Sequence, residues 1–175
     1  IVRASKGRAV LEFGSRRAHG FDAATEGARG AYIAGCAGSA CTIAGQKYAV
    51  PVSGTIAHSY VQLHDSELEA FRSYARVSPD NCILLVDTYD TLHSGIPNAI
   101  KVAQEELIPN GHRLKGIRID SGDLAYLSKK ARKMLDAAGL TDCKVVVSNS
   151  LDEFLIDDLI MQDAKIDTFG VGENM

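Results

Sequence analysis

The chain has 175 residues, 46% of them hydrophobic, and a net charge of -3, so it is long enough to bury a core of its own. That charge gives no broad basic field, which argues against nucleic acid or an anionic membrane surface as a partner. No apolar run approaches the roughly 20 residues of a membrane span and the N-terminus does not read as a signal peptide, so a cytoplasmic protein is expected.

Residues 1 to 8, with scattered Lys and Arg, suggest the end of a helix. A short apolar strand from Ala9 then runs into a polar turn bounded by Gly20, where Arg16, Arg17 and His19 form either an anion cradle or a solvated basic loop. Asp22 is placed to cap a helix through about Gly35, with Ala24, Ala28, Ala31 and Tyr32 on its packed face. Small residues from Gly35 to Gly45 predict loop or short strand. A β segment ends near Ser53 and Gly54, and a helix is expected from about His58, placing an imidazole where backbone N–H groups favour an anion. Ser66 and Glu69 form a capping box for the next helix, with Leu68, Phe71 and Ala75 inward.

Cys82 to Asp90 reads as a continuously apolar, buried parallel strand whose tip carries Asp87. A helix after Pro97 is expected to bury Ile100, Ala103 and Leu107 and to stop at Asn110-Gly111. In Gly116-Ile-Arg-Ile-Asp-Ser-Gly-Asp-Leu124, alternation puts Ile117 and Ile119 on one face and Arg118 and Asp120 on the other. A cation and a carboxylate thus share a strand end, and Asp123 sits where the following helix wants its N-cap. Leu124, Leu127, Ala131, Leu135 and Ala138 form that helix's apolar stripe, and Gly139 closes it. Lys144 to Ser150 is another buried strand with a polar tip, with a second capping box from Ser150 to Glu153. The last strand, from Asp167, breaks at Gly170 and Gly172, whose amides could approach phosphate oxygens.

The four cysteines, Cys36, Cys41, Cys82 and Cys143, have no metal-ligand spacing and read as reduced structural thiols. Polar groups recur at the strand tips Asp87, Asp120, Asn149 and Gly172, each strand followed by a helix or loop, which argues for successive βα units. A TIM-like barrel and an open doubly wound sheet both fit. The barrel is preferred because every tip is polar, whereas an open sheet gathers its site at one switch point. Starting at Ile1 and stopping at Met175, the chain is expected to be a single α/β-barrel core segment, 1–175, of a longer protein.

Six blocks, in order, carry a resemblance: Glu12-Phe-Gly-Ser-Arg-Arg-Ala-His-Gly20, Gly54-Thr-Ile-Ala-His-Ser59, Leu85-Val-Asp-Thr-Tyr89, Gly116 to Leu124, Val147-Ser-Asn-Ser150 and Phe169-Gly-Val-Gly172. With these the chain resembles nicotinate phosphoribosyltransferase, a type II phosphoribosyltransferase. The resemblance implies a partial, irregular TIM-like α/β barrel and a cytoplasmic, homodimeric enzyme of NAD salvage. It implies formation of nicotinate mononucleotide and diphosphate from nicotinate and phosphoribosyl diphosphate (PRPP), with coupled ATP hydrolysis and Mg²⁺. By the same resemblance His58 is the phosphorylated histidine, and Asp87 and Asp120 serve the ribose and the metal. Phe13 and Arg16 lie beside the pyridine ring and phosphates, Arg118 at the base and ribosyl end, and Gly170 and Gly172 at the 5′-phosphate. Cys41 and Glu173 depart from the residues common in related sequences. The alternatives are a nicotinamide or quinolinate phosphoribosyltransferase, or an inactive structural fragment of such an enzyme.

Overall fold

A computed structural model describes all residues from Ile1 to Met175. In chain order the elements are β1 (Ala9–Glu12), α1 (Phe21–Ile33), β2 (Gly38–Ser39), α2 (Thr42–Tyr48), α3 (His58–Gln62), α4 (Glu67–Val77), β3 (Ile83–Leu85), α5 (Ile96–Val102), β4 (Gly116–Ile119), α6 (Leu124–Ala137), β5 (Lys144–Val147), α7 (Glu153–Met161) and β6 (Thr168–Val171). They divide into two compact units, Thr55–Val146 and Ile1–Gly54 with Val147–Met175. Strands alternate with helices in both, the α/β organisation expected from the recurring strand tips.

In the unit Thr55–Val146, β3 and β4 pair in parallel with Leu84 opposite Ile117 and Leu85 opposite Arg118. β5 borders β4 on its other edge, where the Lys144 amide donates to the Lys115 carbonyl at 2.9 Å. Leu84, Leu85, Ile117 and Ile119 are buried, as strands covered on both faces must be. The Ser66 hydroxyl caps α4 by accepting from the Glu69 amide, and Phe71 and Ala75 are buried as expected. Glu67 and Ala70 are buried with them, while Leu68 is half-buried. Asp123 caps α6 through the Tyr126 amide, and Gly139 follows its end at φ 76°. The segment around Pro97 is less regular than one helix: Thr91–Gly95 and Ala103–Leu107 are π-helical on either side of α5. Ala103 and Leu107 are buried as expected, together with Ile96, Ala99 and Val102, while Ile100 is half-buried.

In the other unit, β1 runs parallel between β2 and β6, with Leu11 opposite both Gly38 and Gly170. Ala28 of α1 packs with Cys41, Ala44 and Val50 in a small-residue core, so the stretch after Gly38 holds a helix as well as a short strand. Residues 1 to 8 form turns instead of a helix end, because the Ser5 hydroxyl donates to the Val2 and Arg8 carbonyls and draws the backbone into a loop. Gly20, and not Asp22, is the N-cap of α1, and Tyr32 is largely exposed. The second capping box does not form. Ser150 has φ 46°, unsuited to the extended backbone a cap requires, and Asp152 accepts from the Leu155 amide in its place. All four cysteines are free and buried, and burial pushes the Cys82 thiol up to about 12.

Candidate active site

The parallel register of β3 and β4 dictates the first cluster. Leu85 lies opposite Arg118, so the residues two further on, Asp87 and Asp120, leave the sheet side by side. The Asp87 carboxylate is only 1% exposed. Its Oδ2 accepts from the Asp120 amide at 2.9 Å and from the Ser121 hydroxyl at 2.6 Å. Its Oδ1 is buried without a hydrogen-bond partner, and the His58 Nε2 atom lies 4.0 Å away. The same imidazole nitrogen is 3.5 Å from Asp120 Oδ2. The Arg118 guanidinium donates to Asp120 Oδ1 at 3.0 Å and to Thr55 Oγ1 at 2.9 Å, which fixes its plane. His58, Asp87, Arg118 and Asp120, separated along the chain, therefore meet as two carboxylates bracketed by an imidazole and a guanidinium.

His58 is not held as the helix-terminus argument anticipated. The helix it opens, α3, is five residues long with no side-chain cap, too short to carry much of a dipole. Its ring is placed instead by the two acids and by Thr88, whose hydroxyl is 3.2 Å from Nδ1. Thr55, Thr88 and Ser121 were not singled out as site residues by the sequence. Their signal was position alone: Thr88 and Ser121 directly follow Asp87 and Asp120, and Thr55 lies three residues before His58 in its block.

The second cluster belongs to the other unit. Glu12, only 4% exposed at the end of β1, accepts from the Gly14 amide and from the Ser39 hydroxyl. Ser39 in turn accepts from the Cys41 amide at 2.8 Å. A buried carboxylate thus braces the turn that carries Phe13 and Arg16. Arg17 pairs with Glu173 at 3.0 Å, while Arg16 is exposed. A cavity of about 160 Å³ opens here, lined among others by Glu12, Ser15, Arg17, Gly172 and Glu173.

Gly170 lies inside β6, and its bare face is occupied by the Phe13 ring. A Cβ at this position would stand 2.5 and 2.7 Å from ring carbons. Gly170→Ala is therefore expected to displace Phe13 and to cost on the order of 1–3 kcal/mol, read as a lower urea midpoint at unchanged slope. At Gly172, just beyond, an added Cβ would meet only the Phe13 carbonyl, at an ordinary 3.5 Å.

Residues 9–175 match the model of the nicotinate phosphoribosyltransferase (NAPRTase) family. The chain is 56% identical over 168 residues to nicotinate phosphoribosyltransferase of Bacillus subtilis, covering 95% of this chain and 33% of that protein. A nicotinate phosphoribosyltransferase of Mycobacterium tuberculosis is 46% identical over 175 residues, all of this chain and 37% of that one. The chain thus spans about a third of the length of these relatives. The crystal structure of human nicotinic acid phosphoribosyltransferase superposes with a TM-score of 0.89 and 28% identity, over 98% of this chain and 45% of that one. No helix is long and apolar enough to cross a membrane. On these matches the chain belongs to the nicotinate phosphoribosyltransferase family.

Proposed function

We propose that the protein carrying this chain is a cytoplasmic, homodimeric nicotinate phosphoribosyltransferase of NAD salvage, with this chain as part of its α/β barrel. It joins nicotinate to the ribosyl carbon of PRPP, releases diphosphate, and couples the exchange to ATP hydrolysis. The observation that carries this reading is the His58 imidazole set against the Asp87 and Asp120 carboxylates.

Departure of diphosphate builds positive character on the ribosyl ring, which carboxylates at the sugar stabilise. Asp87 and Asp120 supply them, Asp87 through the Oδ1 oxygen that accepts no hydrogen bond within the protein. That oxygen and the Asp120 carboxylate also fit Mg²⁺, a hard ion commonly held by one or two carboxylates together with substrate phosphates. No group of three or more His, Cys, Asp or Glu side chains here could hold a metal ion, so substrate phosphates and water would complete the shell. When bound, the ion would neutralise charge on the leaving diphosphate. Arg118, its plane held by Asp120 and Thr55, and Arg16 suit the nicotinate carboxylate and the phosphates. Phe13, held against Gly170, offers an aromatic surface for the pyridine ring, and Gly172 leaves room for the 5′-phosphate.

ATP coupling falls to His58. Two carboxylates beside Nε2 favour the tautomer protonated there, which leaves the Nδ1 lone pair, now 3.2 Å from the Thr88 hydroxyl, as nucleophile. Attack on the γ-phosphoryl group forms an N–P bond and releases ADP; water then cleaves that bond to give phosphate. The test is incubation of the full-length protein with nicotinate, PRPP and γ-labelled ATP. Nicotinate mononucleotide and acid-labile label on His58 are expected, and His58→Asn is expected to abolish both the label and the ATP stimulation. Preference for nicotinamide or quinolinate in the same assay, or full ATP stimulation in His58→Asn, overturns the reading.

A further inference from the structure

Glu67 takes no part in the cluster around Asp87, yet its carboxylate is as deeply buried as a core side chain. The residue opens α4 and is 4% exposed. Its Oε2 accepts from the Ser94 hydroxyl at 2.5 Å and from Asn98 Nδ2 at 2.9 Å, and Asn98 also donates to Ser94 Oγ at 3.3 Å. Its Oε1 is buried and accepts no hydrogen bond. Both donors are neutral, so this carboxylate is an expensive choice for a position that an apolar residue would fill at less cost.

What the carboxylate holds is the turn next to the catalytic strand tip. Ser94 and Asn98 flank the junction between the π-helical turn Thr91–Gly95 and α5. Gly95, at the centre of that junction, is pressed so closely onto β3's continuation that an added Cβ would stand 1.8 Å from the Val86 carbonyl oxygen. Val86 directly precedes Asp87. From the other side the Asp90 carboxylate caps the same turn through the Leu92 and His93 amides, at 3.0 and 2.9 Å. Irregular π turns of this kind gather at functional sites, where they aim a neighbouring group.

We infer that Glu67 is a positioning residue for the site: it pins Ser94 and Asn98, the pinned turn seats Gly95 on Val86, and Val86 sets the direction of the Asp87 carboxylate toward His58 and Asp120. The inference rests on the phosphoribosyltransferase reading for its activity readout, and it has a second readout that does not.

The experiment uses the full-length protein as wild type, Glu67→Ala, Glu67→Gln, Asp87→Asn and the Glu67→Ala/Asp87→Asn pair. Glu67→Ala is expected to lower kcat/KM for PRPP by about tenfold to a hundredfold, the scale set by sub-ångström misplacement of a catalytic group. Glu67→Gln restores most of it, because the amide oxygen still accepts from Ser94 and Asn98. Once Asp87 is Asn, Glu67→Ala costs less than about threefold, since the group it serves is gone. The isotope-labelled His58 ring signal in NMR follows the same pattern without turnover, moving on Glu67→Ala with Asp87 intact and staying in place with Asn there. Equal losses in both backgrounds, or a Glu67→Ala enzyme within twofold of wild type, overturn the inference. Should Glu67→Ala fail to fold, Ser94→Ala removes one of the two donors and is held to the same non-additivity. Absence of nicotinate mononucleotide from the wild type defeats the activity reading, and the His58 signal still decides the role of Glu67.

Discussion

Replacing Asp87 with Asn is expected to lower kcat/KM by on the order of a hundredfold or more while leaving the fold as stable as before, or more so. The two halves of that expectation come from the two oxygens. Oδ2 accepts from the Asp120 amide and the Ser121 hydroxyl, and an asparagine side-chain oxygen accepts both bonds unchanged. Those donors reject the NH₂ group, so it must take the place of Oδ1, facing His58. There it removes a charge from a side chain 1% exposed, where a carboxylate oxygen without a hydrogen bond is a burden on folding. The same change takes away the charge that a ribosyl cation or Mg²⁺ would meet. Kinetics and a urea titration on one preparation separate the two effects. Activity within threefold of wild type, or a fall in stability comparable to that of Asp87→Ala, would show that Asp87 serves the fold and not the chemistry. Asp87→Ala leaves the Asp120 amide and Ser121 without an acceptor and is expected to cost about 1–3 kcal/mol.

That the carboxylates would meet was legible in the sequence because strands obey a period of two and parallel strands in neighbouring βα units end together. Ile117 and Ile119 had to be inside, so Arg118 and Asp120 had to share the other face, and the observed Arg118–Asp120 pair at 3.0 Å follows. Asp123 as a cap was legible for a similar reason: a short acceptor preceding an apolar periodic run has few other uses. His58 was singled out by a helix-terminus argument that the five-residue α3 does not support and by its resemblance block, not by any pattern that names its partners. A single imidazole has no periodicity, and its partners Asp87, Thr88 and Asp120 are distant in sequence.

Other features were hidden because they depend on tertiary packing that no local pattern encodes. Helical spacing sends Leu68 inward as readily as Glu67, and only Ser94 and Asn98, brought up by the following βα unit, make the carboxylate the better buried group. Glu12 is concealed in the same way at the end of an apolar strand, where Ser39 and the Gly14 amide receive it. Ser150 and Asp152 are equally good caps by composition. The left-handed backbone at Asn149 and Ser150, φ 110° and 46°, excludes the first, and it is held in part by Asn174, which donates to the Ser150 and Leu151 carbonyls. The close seating of Gly95 is the most consequential of these hidden features, because nothing in the local backbone asks for glycine there.

Gly95 has φ -60° and ψ -55°, ordinary helical values that alanine adopts at no cost, so a propensity argument alone favours Gly95→Ala. Space decides the opposite. The new methyl carbon would stand 1.8 Å from the Val86 oxygen, 2.6 Å from its carbonyl carbon and 2.8 Å from its Cβ. Two of the three are backbone atoms of a fully buried residue, hydrogen-bonded through the Val86 amide to the Arg118 carbonyl at 3.0 Å, so the strand cannot yield without breaking its register with β4. Gly95→Ala is accordingly expected to destabilise by on the order of 3 kcal/mol or more, at the upper end for an overpacked core. Gly30→Ala is the control, since Gly30 is exposed on α1 with nothing within 4 Å of an added Cβ, and there alanine is expected to stabilise by up to about 1 kcal/mol. Denaturant midpoints of the two variants should therefore move in opposite directions although the substitution is the same. If they move together, the turn is not seated on Val86 and the route from Glu67 to Asp87 loses its middle step.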